Sequence, residues 1–262
     1  MNKHLAALAA TGALAMVAGP ANANLSSDFT VRVEAPGVVN TTATFDYVGV
    51  ETFDARALGF ADFPSDFGGG DGSNVIVGDY SGVNVIRADQ YGGAGGPGYE
   101  GQYAVVGLNS PDRSYTITFT QTGGSGINYF GYWLSALDAG NTVEFFNGAN
   151  SLGAFTPENL ISIVSGNSAY YGNPYNPTAN SGEPYAFVNF YLNEGTFDRI
   201  VFRQAPGTAG YESDNHTVGW FTSQGDGTVI PPVPEPGAWA LMIMGFGATG
   251  AMLRRRRAFA AA

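Results

Sequence analysis

Tyr115-Thr-Ile-Thr-Phe-Thr120 alternates apolar and polar side chains without a break. Successive side chains of a β-strand point to opposite faces of the sheet, so Tyr115, Ile117 and Phe119 share one face while the three threonines share the other. This segment therefore predicts a strand that packs one face against a core.

Ten other short segments bounded by Gly, Asn or Pro also have strand character. They are Phe29–Glu34, Thr42–Val48, Val83–Ala88, Tyr103–Val106, Asn128–Leu134, Thr142–Phe146, Ile161–Val164, Tyr185–Leu192, Ile200–Arg203 and Val218–Thr222. No part of this region shows the 3.6-residue apolar period of a helix. Many short strands separated by turn residues predict an all-β fold, namely an antiparallel β-sandwich of the jelly-roll type.

The composition is that of one folded domain held together by packing. The 262 residues include 38 Gly and 14 Pro, but 44% of the chain is hydrophobic, which is enough for a core. The absence of cysteine excludes disulfides, thiolate zinc sites, iron–sulfur clusters and cysteine nucleophiles.

Residues 1–23 have the three regions of a secretory signal peptide. Lys3 supplies the positive region, Leu5–Ala18 the apolar region, and Ala21 and Ala23 the A-x-A cleavage site. We therefore predict export through the Sec machinery and cleavage by signal peptidase after Ala23. A buried N-terminal helix is the alternative.

The C-terminal region, residues 231–257, has the features of a membrane anchor. Gly237–Leu253 is 17 residues without a charge, and as a helix it would span about 26 Å, close to the hydrocarbon thickness of a bilayer. Arg254–Arg257 would keep the end of this helix in the cytoplasm. We therefore predict a single transmembrane helix over 237–253, with the bulk of the chain outside.

The order of features in this tail resembles the PEP-CTERM sorting signal. Its parts are Pro234-Glu235-Pro236, an apolar run from Trp239, Gly245-Phe-Gly247 and the terminal arginines. The resemblance implies a substrate of exosortase, a membrane-embedded cysteine protease-transpeptidase of Gram-negative bacteria that often make exopolysaccharide. It also assigns roles to single residues: Pro234, Glu235 and Pro236 form the recognition motif, and Arg254, Arg255, Arg256 and Arg257 form the stop-transfer signal. The helix would hold the protein transiently in the inner membrane.

Residues 24–230, the predicted extracellular β-sandwich domain, are strongly acidic. They contain six arginines, no lysine and 21 acids, a net charge near −15. Such a charge argues against nucleic acid as a partner and suits divalent cations or neutral glycans.

Several segments of this domain resemble one exosortase-dependent surface-protein family. They are Asp89–Gly96, Gln102–Gly107, Asn128–Gly148, Val188–Phe190, Phe197–Ile200 and Tyr211–His216. The resemblance implies a secreted β-sandwich of unassigned biochemistry.

The domain has few residues suited to catalysis. His216 is its single histidine and there is no G-x-S-x-G motif, which argues against a Ser-His-Asp hydrolase and against multi-histidine metal centres. We expect a structural or strand-edge role for His216. A polysaccharide hydrolase that uses two of the acids as a catalytic pair is the alternative.

Two candidate binding sites lie in predicted loops. Asp71 with Asn74, and Asp214 with Asn215, offer oxygen ligands for a structural calcium ion, although Asx turns would explain the same residues. No cofactor is required by the sequence.

Tyr170, Tyr171 and Tyr175 lie in a polar loop and are candidates for stacking on sugar rings. Packing within an Ω-type loop is the alternative for these three tyrosines. We expect Trp133 and Trp220 to belong to the core.

These observations together predict an exported, non-enzymatic surface or matrix protein that contributes to exopolysaccharide or biofilm structure and binds glycans. The hydrolase and a plain structural coat or adhesion protein are the competing hypotheses.

Overall fold

A computed structural model describes residues 24–231, apart from 69–74, 108–112, 125, 138–139, 177 and 207–209, together with positions 244 and 246. The strands are β1 Phe29–Val33, β2 Thr44–Glu51, β3 Gly59–Ser65, β4 Ile76–Arg87, β5 Gln102–Val106, β6 Ser114–Gln121, β7 Tyr129–Ser135, β8 Asn141–Asn147, β9 Asn150–Phe155, β10 Ala186–Leu192, β11 Arg199–Gln204, β12 Tyr211–Ser223 and β13 Thr228–Ile230. Helix α1 is Pro157–Val164, and a 3₁₀ turn covers Ser168–Tyr170. The predicted signal peptide lies outside the described residues, as does the predicted sorting tail apart from positions 231, 244 and 246.

All pairings between these strands are antiparallel, which confirms the predicted all-β antiparallel class. The strand order is β13-β1-β10-β7-β12-β5-β4-β6-β11-β8-β9, with β2 beside β12 and β3 beside β4. Hydrogen bonding is therefore continuous, and the structure is one curled sheet rather than two separate sheets.

The continuity arises because each of two long strands divides one of its edges between two neighbours. β12 pairs with β5 through Tyr211–Ser213 and with β2 through His216–Ser223. β4 pairs with β6 through Ile76–Ser81 and with β5 through Asn84–Arg87. The short strand β5 thus joins two halves of the sheet that a jelly roll would keep apart.

The two halves face each other across an aromatic core. Tyr132 on β7 and Phe202 on β11 have ring centroids 5.2 Å apart, and Phe145 on β8 lies 5.1 Å from Phe190 on β10. Strand β6 behaves as its alternation predicts, because Tyr115, Ile117 and Phe119 are buried while its threonines are not.

One predicted strand is wrong. Ile161–Val164 is the last turn of α1, which begins at Pro157 after an extended Thr156. Proline is tolerated in the first turn of a helix, and Leu160 and Val164, four residues apart, bury one face. The local sequence is apolar in either conformation, so four residues alone could not distinguish them.

The outer face of one half of the sheet is covered by other parts of the chain, whereas the outer face of the other half is largely exposed. Every residue of β7 and β10 is buried. Loops 88–101 and 171–185, here called the glycine loop and the tyrosine loop, cover Trp133 and Phe187, while Phe45 packs on Tyr129 at the other end. Thr118 and Thr120 on β6 and Arg203 on β11 are exposed, so this outer face is open to solvent at these positions, although Val201 at its centre is buried. Among the described residues, no helix is long and apolar enough to span a membrane, and segment 237–253 lies outside them apart from positions 244 and 246.

Candidate functional site

The glycine loop and the tyrosine loop bind each other through side-chain to backbone hydrogen bonds. The Tyr175 hydroxyl donates to the Ala94 carbonyl at 2.8 Å, and the Asn173 amide donates to the Gln90 carbonyl at 3.2 Å. Ala94 also packs with Trp133 of the underlying sheet in a small apolar cluster. The two loops therefore form one lid over the outer face of β7 and β12.

Glycine is required where the glycine loop packs on the sheet and on itself. A Cβ atom on Gly92 would overlap the ring of Tyr103, and one on Gly95 would overlap the backbone of Glu100. Because glycine has no side chain, the loop backbone packs directly on the aromatic ring.

The three tyrosines of the predicted glycan site make contacts within the domain. Tyr170 is buried and its hydroxyl donates to the Glu34 carbonyl at 2.7 Å. Tyr171 is half-buried against the core, and Tyr175 is half-buried and bound to Ala94. The three rings do not form a flat exposed platform, and glycan binding by this loop stays a prediction.

Two carboxyl groups lie beneath the lid on the outer face of β12. Glu212 and Asp214 are 6% and 3% exposed, and their cross-strand neighbours on β7 are Ser135 and Trp133. Among the described residues, the Ser135 hydroxyl and the Trp133 indole N–H have no hydrogen-bond partner although both are buried. The lid therefore covers four neighbouring residues with polar side-chain atoms, namely Glu212, Asp214, Ser135 and Trp133.

Burial controls the protonation of Asp214. Its two carboxyl oxygens accept hydrogen bonds from the backbone N–H groups of Ala94 and Asn215, both at 2.7 Å. Desolvation by burial outweighs these donors and raises the pKa of Asp214 to about 8, with smaller contributions from Asp54 and Glu51.

This geometry is poorly suited to the predicted calcium site at Asp214 and Asn215. A carboxyl group with a raised pKa is a weak calcium ligand, and the Asn215 amide points its N–H₂ group at the Val39 carbonyl, 2.9 Å away. The other predicted pair, Asp71 and Asn74, lies outside the described residues. Within the described ranges, no three His, Cys, Asp or Glu side chains are placed to hold a metal ion.

A β-bulge in β12 separates Asp214 from His216. The register with β7 shifts between Asp214 and Thr217, and Asn215 adopts a left-handed backbone with φ of +48°. The bulge turns Asp214 toward the lid and His216 into the core.

His216 is fully buried in the aromatic core, so it lies within the sheet and not at a strand edge. Its Nδ1 is 3.0 Å from the Tyr80 hydroxyl and its Nε2 is 3.0 Å from the Ser213 hydroxyl, which also bonds the Tyr115 hydroxyl at 2.9 Å. The Phe202 ring stacks on the imidazole with centroids 5.2 Å apart. Burial lowers the pKa of His216 to about 3, so the imidazole is neutral.

Glu212, Trp133 and Ser135 are residues of this site that the sequence reasoning missed. Glu212 and Asp214 are two positions apart, which places both on one face of a strand, and this spacing was the available signal. Nothing comparable marks Trp133 and Ser135, because only strand pairing brings β7 beside β12.

The tail provides the decisive likeness to known proteins. Residues 232–257 match a family described as the PEP-CTERM protein-sorting motif. The chain carries a PEP-CTERM sorting motif. The matched range includes Pro234, Glu235 and Pro236 and the arginines Arg254–Arg257, which confirms the predicted resemblance. No curated protein matches the chain.

The PEP-CTERM motif supports an exported protein that exosortase sorts and processes after a transient membrane-anchored step. The motif residues lie outside the described residues, as do Ala21 and Ala23, and cleavage after Ala23 stays a prediction.

Proposed function

We propose that this chain is the precursor of a non-enzymatic surface or matrix protein, which exosortase separates from its tail. Its β domain then contributes to exopolysaccharide or biofilm structure by binding glycans at the cell surface. The observation that carries the proposal is the PEP-CTERM motif that directly follows an acidic all-β domain. Such a domain is soluble outside the cell, and the tail supplies the route.

The state of the domain's histidine supports a non-enzymatic role. His216 is fully buried with its ring nitrogens turned to Tyr80 and Ser213, so it does not face solvent where a substrate could bind. The buried acids Glu34 and Glu51 are likewise bound by neighbouring side chains and backbone N–H groups.

Sorting is tested by expressing the full chain in a Gram-negative host that contains exosortase. We expect the protein at the surface to have lost Arg254–Arg257 by intact-mass measurement, and the Glu235→Ala variant to remain in the membrane at full mass. Asp226→Asn, a charge-matched change outside the motif, should be processed normally. Surface protein that still carries the four arginines would contradict the proposal.

Glycan binding is tested with the full-length chain on a panel of neutral and acidic polysaccharides. Binding of none of them would refute the glycan role. Tyr171→Ala and Tyr175→Ala test the tyrosine loop, and unchanged affinity in both variants would exclude that loop as the contact.

A polysaccharide hydrolase is the second candidate, and Glu212 with Asp214 favours it. Residues two apart on a strand have Cα atoms about 7 Å apart and side chains on one face, which lets two carboxyl groups act on the same substrate. The raised pKa of Asp214 suits a general acid, although the lid would have to open. Release of reducing ends by the wild type and by Glu194→Gln, but not by Glu212→Gln or Asp214→Asn, would establish this activity.

A further inference from the structure

A cleft of about 400 Å³ lies at one end of the open outer face, away from the lid. Its lining includes Arg113, Arg203, Ser114 and Thr142. Its volume is within the range of small-ligand sites.

Strand pairing places these four residues together. Arg203 on β11 is the direct cross-strand neighbour of Ser114 on β6 and of Thr142 on β8. Directly paired residues have Cα atoms about 5 Å apart and side chains on the same face. Arg113 precedes Ser114 and lines the same cleft.

The cleft concentrates positive charge in a domain that has little of it. Three of the domain's six arginines, namely Arg113, Arg199 and Arg203, lie on or beside β6, β11 and β8. On the same count there are three acids, because Glu144 lies on β8 and Asp112 and Asp198 directly precede Arg113 and Arg199. The strip is therefore neutral overall in a domain whose net charge is near −15, and within it Arg113 and Arg203 line the cleft.

Both guanidinium groups keep donors available for a ligand. Arg113 donates to the Ala205 carbonyl at 3.1 Å and Arg203 to the Glu144 carboxylate at 3.2 Å. Each makes this one hydrogen bond within the described residues, and a guanidinium has five N–H donors. These anchors orient the two groups, and orientation favours bidentate contact with a carboxylate or sulfate.

We infer that this cleft binds the anionic group, a carboxylate or a sulfate ester, of an acidic polysaccharide. The two arginines bind the charged group, and the hydroxyls of Ser114 and Thr142 hydrogen-bond the sugar. The inference rests on the proposed glycan role and specifies its ligand class. A polysaccharide is favoured over nucleic acid because the described lining of the cleft contains no aromatic side chain on which a base could stack.

The test measures affinity of the full-length chain, in nonionic detergent, for oligogalacturonate, its methyl ester, dextran sulfate, dextran and single-stranded DNA. We expect binding to oligogalacturonate or dextran sulfate, or both, and not to the uncharged counterparts. Arg113→Gln and Arg203→Gln should each weaken binding about tenfold, since each removes a charge-assisted contact. The matched control Arg87→Gln removes one charge at the end of β4, against β5, and should leave affinity within twofold.

Glu144→Gln provides a readout that misfolding does not imitate. It frees Arg203 from its carboxylate partner while keeping an acceptor for the Ser151 hydroxyl, so we expect tighter binding of the anionic sugar. Thermal unfolding of each variant confirms that it is folded.

The outcomes separate this inference from the proposed function. Equal binding by the wild type, Arg113→Gln and Arg203→Gln would show that the cleft is not the binding site and would leave the proposed glycan role unaffected. Binding of neutral polysaccharides alone would do the same. Binding of no polysaccharide would remove both, and preference for single-stranded DNA over acidic glycans would overturn the ligand class.

Discussion

Burial shifts the pKa values of His216 and Asp214 in opposite directions. Both residues lie on β12, on either side of one bulge, and each loses its water on folding. Desolvation disfavours the charged form of any group, so it lowers the pKa of the histidine and raises that of the acid. Folding stability must therefore depend on pH through both residues.

The contribution of His216 to folding stability should fall as the pH is lowered, and between about pH 4 and 6.5 this change opposes that of Asp214. The pKa is about 3 in the folded protein and about 6.5 in an unfolded chain, so below about pH 6.5 the unfolded chain binds a proton that the folded protein does not. The loss is at most roughly 1.4 kcal/mol per pH unit between pH 6.5 and 3. Denaturant unfolding between pH 4 and 7 measures it.

The control is His216→Gln, which does not titrate in this range. We expect it to be about 1–3 kcal/mol less stable at pH 7, because it loses part of the Tyr80 and Ser213 hydrogen bonding. Its stability relative to that of the wild type should increase toward pH 4, by at most roughly 1.4 kcal/mol per pH unit. Identical slopes for the wild type and the variant would show that His216 is not protonated on unfolding.

For Asp214, stability should fall as the pH is raised. The folded carboxyl keeps its proton up to about pH 8, whereas the unfolded carboxyl loses it near pH 4. Deprotonation therefore favours unfolding between about pH 4 and 8, again by at most roughly 1.4 kcal/mol per unit. Asp214→Asn should flatten this part of the profile, and an unchanged slope between pH 6.5 and 8 would contradict the assignment.

The glycine loop depends on close packing against β5. Gly92→Ala should destabilise the domain by about 1–3 kcal/mol, because the added methyl group overlaps the Tyr103 ring and forces the loop outward. Gly182→Ala in the tyrosine loop is the matched control, since no atom lies within 4 Å of its added Cβ. Thermal unfolding compares the two, and an equal effect would show that the loop does not pack on Tyr103 as described.

The loops and bulge explain why this site was only partly predictable. Alternation along Tyr115–Thr120 depends on local spacing, so β6 could be read directly. The neighbours of Asp214 come from Ala94 in a distant loop and from Trp133 on another strand. Neither contact leaves a local pattern, and the bulge that turns Asp214 away from His216 becomes visible only once β12 is paired.

The first and last strands of the domain are neighbours in the sheet. Val31 and Val33 on β1 pair with Ile230 and Thr228 on β13, and the Arg32 guanidinium donates to the Gly227 carbonyl at 2.8 Å. The PEP-CTERM tail starts directly after this strand. Removal of the tail therefore breaks no strand pairing in the described domain.

A chain ending at residue 231 should unfold at the same temperature as the full chain, within about 2 °C. A chain ending at residue 226 loses β13, uncovers Val31 and should unfold at least about 5 °C lower. Differential scanning calorimetry of the three chains measures the effect. Equal unfolding temperatures for the 226 and 231 chains would show that β13 does not stabilise the sheet.

The sequence alone was sufficient for the strand class of the domain and for its PEP-CTERM tail, because alternation, charge runs and short motifs are local properties. The continuous curl of the sheet, the lid over Glu212 and Asp214 and the arginine cleft depend on which distant strands become neighbours. Arg113, Arg203 and Thr142 are separated by up to 90 positions in the chain and share a cleft through the pairing of β6, β11 and β8. Those pairings are selected by burial of the whole aromatic core, a property that no single segment carries.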